Sequence, residues 1–334
     1  MTQRMRRTWG LAGTAVLTAA LAACGGEAPR TADAAEDGAL RVGIFVDNAF
    51  GDGDFFDQAG RAQQPLEDDG AVVNTYEGQL QAQNFEPLLQ DAADANDLVF
   101  VLGFEAIDAM TKVAAENPDT TFVFVDAVVD DPNIVSAVFR TAEGCFMAGA
   151  LAATVNSAQG SSVAGFIGGV NAPVVENCES GYDQGVAQVD PAQSVASQYV
   201  GSFVDPAKGR EITLALAQRG AYSVFAYAGL SGAGAFDAAS SGESVAPIGV
   251  VADKSDLAPG KVPGSLEMGV DAVILELADQ YRNDDLERGS QHDYGFAEGG
   301  WAMVYDDSLL TPDQIAALEA LEQQIVDGEL QISA

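Results

Sequence analysis

Leu98-Val-Phe-Val-Leu-Gly103 and Thr121-Phe-Val-Phe-Val-Asp126 flank Ala106-Ile-Asp-Ala-Met-Thr-Lys-Val-Ala-Ala115, a stretch that Pro118 stops. The two outer runs are short, β-branched and aromatic, and apolar without alternation, which predicts strands buried on both faces. The middle stretch repeats its apolar residues at three and four, the period of a helix. Strand, helix and strand within so short a span form the crossover unit of a parallel sheet. Upstream, Arg41-Val-Gly-Ile-Phe-Val-Asp47 has the same strand shape. Downstream the pattern restarts with Val163-Ala-Gly-Phe-Ile-Gly168, Ser197-Gln-Tyr-Val-Gly-Ser-Phe203, Tyr222-Ser-Val-Phe-Ala-Tyr-Ala228 and Pro247-Ile-Gly-Val-Val251. Helical segments are expected near 143–156, 207–219 and 232–241. Glu143 to Asn156 is apolar on most faces and reads as a buried crossover helix. Two successive sets predict an α/β fold of two doubly wound lobes. Ligands of such folds bind outside the carboxyl ends of the strands, so Asp47, Gly103, Asp126 and Gly229 are expected at one cleft.

The chain has 334 residues, 15 Lys and Arg against 50 Asp and Glu, and a hydrophobic content of 48%. That apolar content supplies a core and excludes global disorder. A net charge of −35 argues against nucleic acid as a partner, because neutralising phosphates takes clustered Lys and Arg. The acidic excess reads as a highly solvated surface, of a kind that also suits strong brine.

The first 23 residues read as an export signal. Arg4, Arg6 and Arg7 form a positive region ahead of the apolar run Leu11 to Ala22, which is too short to span a bilayer as a helix. Leu21-Ala22-Ala23-Cys24 looks like a bacterial lipobox, in which Cys24 is lipidated and heads the mature chain. Residues 24–40 are small, polar and aperiodic, as suits a flexible tether. The expected location is extracytoplasmic, with the protein held on the cell membrane by lipid.

No enzyme signature survives inspection. Gly229-Leu-Ser-Gly232 does not form a nucleophile elbow, and the lone His292 follows a charged loop. Asp52, Asp54 and Asp57 hint at a calcium loop, but Phe56 and Gln63 break the ligand register. Gly165-Phe-Ile-Gly-Gly169 lacks dinucleotide spacing. Neither a cofactor nor a metal is expected.

The ordered landmarks carry a family resemblance. A lipobox, a strand ending in Asp and the acidic turn Gly51-Asp-Gly-Asp-Phe-Phe-Asp-Gln58 come first. Leu102-Gly-Phe104, Asn117-Pro-Asp119, Asp131-Pro-Asn133, Phe139 with Glu143-Gly144, and Ala148 to Ala153 follow. Gly181-Tyr-Asp-Gln-Gly185, Tyr199 to Asp205 and Gly249 to Pro259 complete the series. From residue 41 to about 330 the chain resembles the basic membrane protein family of purine-nucleoside-binding lipoproteins. The resemblance implies a type I periplasmic-binding fold, with a ligand clamped between two lobes and an ABC permease as partner. It also implies Phe56 beside a purine ring, Asp57 contacting the base, Asp126 near ribose or base, and Gly229 on the opposite lip. Asp47 and Phe104 join this set from their strand ends. An aromatic face suits stacking and a carboxylate suits ligand donors. The plainer alternatives are a core aromatic for Phe56 and a turn cap for Asp126. A lipid-anchored sensor with an altered or lost ligand is the alternative function.

The lobes are expected to comprise 41–142 with about 256–290, and 143–255, with 291–334 packed on either. Cys145 and Cys178 remain after lipidation of Cys24, and two readings stay open: a disulfide in an exported protein, or two buried thiols. The sequence departs from the family at Val251 and Met268, which replace an Asp and a Lys. Joint loss avoids leaving one buried charge unpaired. The expected cleft has polar readout at Asp57 and Asp126 and a more apolar opposite wall. It therefore suits a neutral or cationic, partly aromatic ligand.

Overall fold

Two six-stranded sheets organise residues 38–333, the part of the chain that the computed structural model describes. The signal segment, most of the tether and Cys24 lie outside these residues. In chain order, β1 (Arg41–Val46), β2 (Val72–Glu77), β3 (Leu98–Leu102), β4 (Thr121–Val125) and β5 (Ile134–Phe139) build the first sheet. The second holds β6 (Val163–Gly168), β7 (Ser194–Tyr199), β8 (Ala221–Tyr227), β9 (Ala246–Val251) and β10 (Gly264–Met268). Then β11 (Gln291–Tyr294) returns to the first sheet and β12 (Trp301–Tyr305) to the second. Across the sheets the orders are β2-β1-β3-β4-β5-β11 and β7-β6-β8-β9-β10-β12. These are two copies of one doubly wound topology, parallel throughout except where β12 runs antiparallel to β10. Strands β3, β4 and β9 are buried at every position, as uninterrupted apolar runs demand when helices cover both faces.

The helices are α1 (Phe55–Arg61), α2 (Gln63–Asp68), α3 (Ala82–Ala95), α4 (Ile107–Glu116), α5 (Thr141–Gln159), α6 (Pro173–Val189), α7 (Pro206–Gln218), α8 (Ala233–Ser240), α9 (Val270–Arg282) and α10 (Pro312–Val326). Helix α5 begins two residues after β5 and buries residues on every face, which explains its lack of amphipathic period. It packs on α6, and the Cys145–Cys178 disulfide ties the two helices together. Helix α10 lays Leu318 and Ile325 toward the core and packs on α5. Among the described residues, no helix is long and apolar enough to cross a membrane.

Three boundary expectations change. Residues 256–290 do not all belong with the first lobe: β10 pairs with β9, Ser265 opposite Gly249, and the chain returns to the first lobe only in α9. The reason is steric as well as topological, because Ser265 fills the space where a Cβ at Gly249 would stand. The segment 291–334 is divided, β11 extending the first sheet and β12 the second. The strand expected at Ser197–Phe203 runs instead from Ser194 to Tyr199, since Gly201 turns with φ +85° and releases Phe203 into a loop.

Candidate functional site

Both sheets direct their carboxyl ends at one cavity of about 400 Å³. Asp47 ends β1 and Gly103 follows β3, at the point where the winding of the first sheet reverses. Asp126 follows β4, and Gly229 lies just past β8 in the second lobe. All four line the cavity, together with Phe56, Phe104, Val251 and Met268.

Asp47 is 2% exposed, and its Oδ2 finds no N–H or O–H donor. Its carboxyl occupies the space that a Cβ at residue 103 would need, so Gly103, at φ +105°, is the residue that lets it sit there. The neighbouring acid is Glu105. Burial first, then Glu105, pushes Asp47 up to about 8, while its hydrogen bond to Asp47 draws Glu105 below its ordinary value. Two carboxylates facing each other are stable with one proton between them, so the pair carries a single negative charge at neutral pH.

Asp126 leaves β4 with φ +88°, and its Oδ1 is shut from solvent with no partner. Burial pushes it up to about 7. Across the cleft stands Tyr227, whose phenol is raised by burial and then by the charge of Asp126. Val251 is also left-handed, at φ +70°, an uncommon conformation for a β-branched residue. Its carbonyl accepts a 2.9 Å hydrogen bond from Gln58 Nε2 of α1 in the first lobe.

Asp126 yields a direct prediction. The folded state holds its proton more tightly than the unfolded chain does, so its share of stability falls as pH rises from about 4 to 7. Asp126→Asn keeps the shape and tolerates the left-handed backbone. It should stabilise the ligand-free protein by about 1–3 kcal/mol at pH 8, the gain vanishing toward pH 4. Urea titrations at both pH values measure this; an equal gain at each would contradict it.

Asp57 is the site residue that the structure moves elsewhere. Its Oδ1 accepts from the Gly51 N–H at 2.6 Å and its Oδ2 from the Gly53 N–H at 2.7 Å, outside the cavity. Asp52 is similarly engaged: its carboxylate accepts from the N–H groups of Asp54, Phe56 and Asp57. The acidic turn therefore caps itself and the start of α1, which accounts for its composition without a ligand. No group of three or more potential metal ligands occurs among the described residues.

Some lining groups were not legible in the sequence. Phe203 reaches the cavity from the loop after β7, and Phe55, Glu105 and Tyr227 join it from positions adjacent to residues already singled out. Asp54 lines the cavity and meets Lys254 at 3.3 Å; Lys254 Nζ also donates to the Gly53 carbonyl at 3.0 Å. Burial raises Asp54 to about 6 against the opposing pull of Lys254. With Gln58 and Val251, this ion pair clasps the first lobe to the segment following β9. Among the described residues, every charged one lining the cavity, namely Asp47, Asp52, Asp54, Glu105 and Asp126, belongs to the first lobe and is acidic. The second lobe offers Val174, Phe203, Tyr227, Val250, Val251 and Met268 among its lining residues.

Known proteins share this architecture. The chain is 30% identical over 286 residues to Basic membrane protein D of Borreliella burgdorferi (strain JD1), covering 84% of this chain and 83% of that one. It is 28% identical over 254 residues to the CD4+ T-cell-stimulating antigen of Listeria monocytogenes, covering 71% and 70%. A solved ABC transporter solute-binding protein from Aeropyrum pernix K1 superposes with a TM-score of 0.76 at 23% identity, over 87% of this chain and 92% of that one. The fold is thus that of the two-lobed solute-binding proteins. Residues 39–334 match the family model described as ABC transporter substrate-binding protein PnrA-like, and the chain belongs to that family, Bmp.

Proposed function

We propose that this protein is the extracytoplasmic, lipid-anchored solute-binding component of an ABC importer, taking a small nucleoside-like ligand, neutral or cationic, between its lobes. One observation carries the reading: a 400 Å³ cavity at the carboxyl ends of both sheets combines aromatic faces with carboxyl oxygens that lack partners. Its size and its few polar groups set in apolar walls suit a small molecule. The role is capture and delivery to a permease, without chemistry on the ligand. Leu21-Ala22-Ala23-Cys24 supports the anchor. Differential scanning fluorimetry against nucleosides, free bases and small metabolites tests the binding. A cognate ligand should raise the melting temperature progressively with concentration. No shift with any compound would count against the reading. Palmitate labelling of expressing cells should mark the protein and be lost in Cys24→Ser; retained labelling would refute the anchor.

A further inference from the structure

We infer that the ligand is an organic cation with a flat aromatic body, its positive charge seated between Asp126 and the Asp47–Glu105 pair. This rests on the proposed solute-binding role and narrows the class of solute. Among the described residues, five acidic ones line the cavity, and no Lys, Arg or His does. Two of the five are already engaged: Asp52 by three backbone N–H groups, Asp54 by Lys254. Of the other three, Glu105 shares a hydrogen bond with Asp47, while Asp47 and Asp126 each keep one buried oxygen without a donor. Asp47 is almost wholly buried with Oδ2 undonated, and Asp126 Oδ1 is buried and equally bare. The fold therefore keeps two carboxyl oxygens desolvated at the cavity wall, and no donor among the described residues satisfies them. A neutral ligand can lend them N–H or O–H donors but leaves the net negative charge of the cavity wall uncompensated; a cation does both in one contact.

The remaining walls specify the rest of the molecule. Phe55, Phe56 and Phe104 from the first lobe and Phe203 and Tyr227 from the second surround the same space. Aromatic faces attract a cation through their quadrupole and stack on a flat ring. Among the described residues no cationic side chain lines the cavity to bind a phosphate or carboxylate, so this arrangement disfavours anionic solutes.

Matched probes that differ by one fixed charge test this. Isothermal titration at pH 7.5 and low salt compares 1-methyladenosine with adenosine, and 1-methylnicotinamide with nicotinamide. The charged member of at least one pair should bind tenfold or more tightly than its neutral counterpart. Asp126→Asn should weaken that cation at least tenfold more than it weakens the neutral partner. If Asp126→Asn does not fold, Glu105→Gln, at the exposed edge of the pair, serves with the same readout. Neutral members binding as well as the cations would overturn the inference and leave the solute-binding role standing. The inference also falls, with that role intact, if neither pair binds but an uncharged nucleoside from the wider panel does. No binding by any compound overturns the inference and the solute-binding role together.

Discussion

Replacing Cys145 and Cys178 together by Ala is expected to cost about 3–4 kcal/mol of stability. The bond joins α5 to α6 across a sequence separation of 33 residues, and both cysteines are fully buried. Closing a loop of this length removes conformational freedom chiefly from the unfolded chain, and the chain-entropy account gives that magnitude. Losing the two sulfurs from a packed site adds a cavity contribution of the same sign. The melting temperature should fall by roughly 6–12 °C. Denaturant titrations of the double variant, and of reduced against oxidised protein, measure the effect. An unchanged midpoint in both would show that the helices hold together without the bond.

The largest single-residue effect is expected at Gly185→Val. Helices α5 and α6 meet backbone to backbone. A Cβ at Gly185 would overlap the Phe146 carbonyl, one at Gly181 the Ala142 carbonyl, and one at Gly149 the Tyr182 carbonyl. These are main-chain atoms within helices and cannot turn aside as a flexible side chain would. Overpacking a core ordinarily costs about 1–3 kcal/mol, and separating two helices along their shared seam exceeds that range. The loss at Gly185→Val should be about 3 kcal/mol or more. Gly160→Ala provides the contrast, since nothing stands near its Cβ position and only its left-handed backbone at φ +71° resists, a cost of about 1–2 kcal/mol. Equal losses in the two variants, read from urea midpoints, would disprove the packing argument.

The strand runs of this chain are readable because burial on both faces of a parallel sheet demands uninterrupted β-branched and aromatic residues, a local property. Helix periods and the stop at Pro118 are local in the same way. Strand ends follow from strand positions, which is why Asp47, Gly103, Asp126 and Gly229 could be assigned to one cleft from the order of residues alone. The weakly patterned pieces resisted. Strand β2 is only half-buried and β11 is mostly exposed, so neither shows a core-like run. Strand β10 changes lobes without any mark in its composition, because pairing between β9 and β12 is decided by distant partners.

Charge was the least legible feature. Fifty acids make each carboxylate look alike in sequence, and only the folded chain sorts them by what donates to each. Asp57 is taken up by the N–H groups of Gly51 and Gly53, residues near it in the chain, yet spacing alone did not show which way its carboxylate turns. Lys254 finds Asp54 two hundred residues away, so neither carries a local trace of the other. Asp47 meets its proton-sharing neighbour because Gly103, just past a different strand, leaves room for its carboxyl. Sequence determined the layers and the end of each sheet where the cleft lies, because those depend on neighbours along the chain. Which carboxylates remain unpaired was decided by tertiary structure alone, because desolvation and pairing depend on neighbours in space.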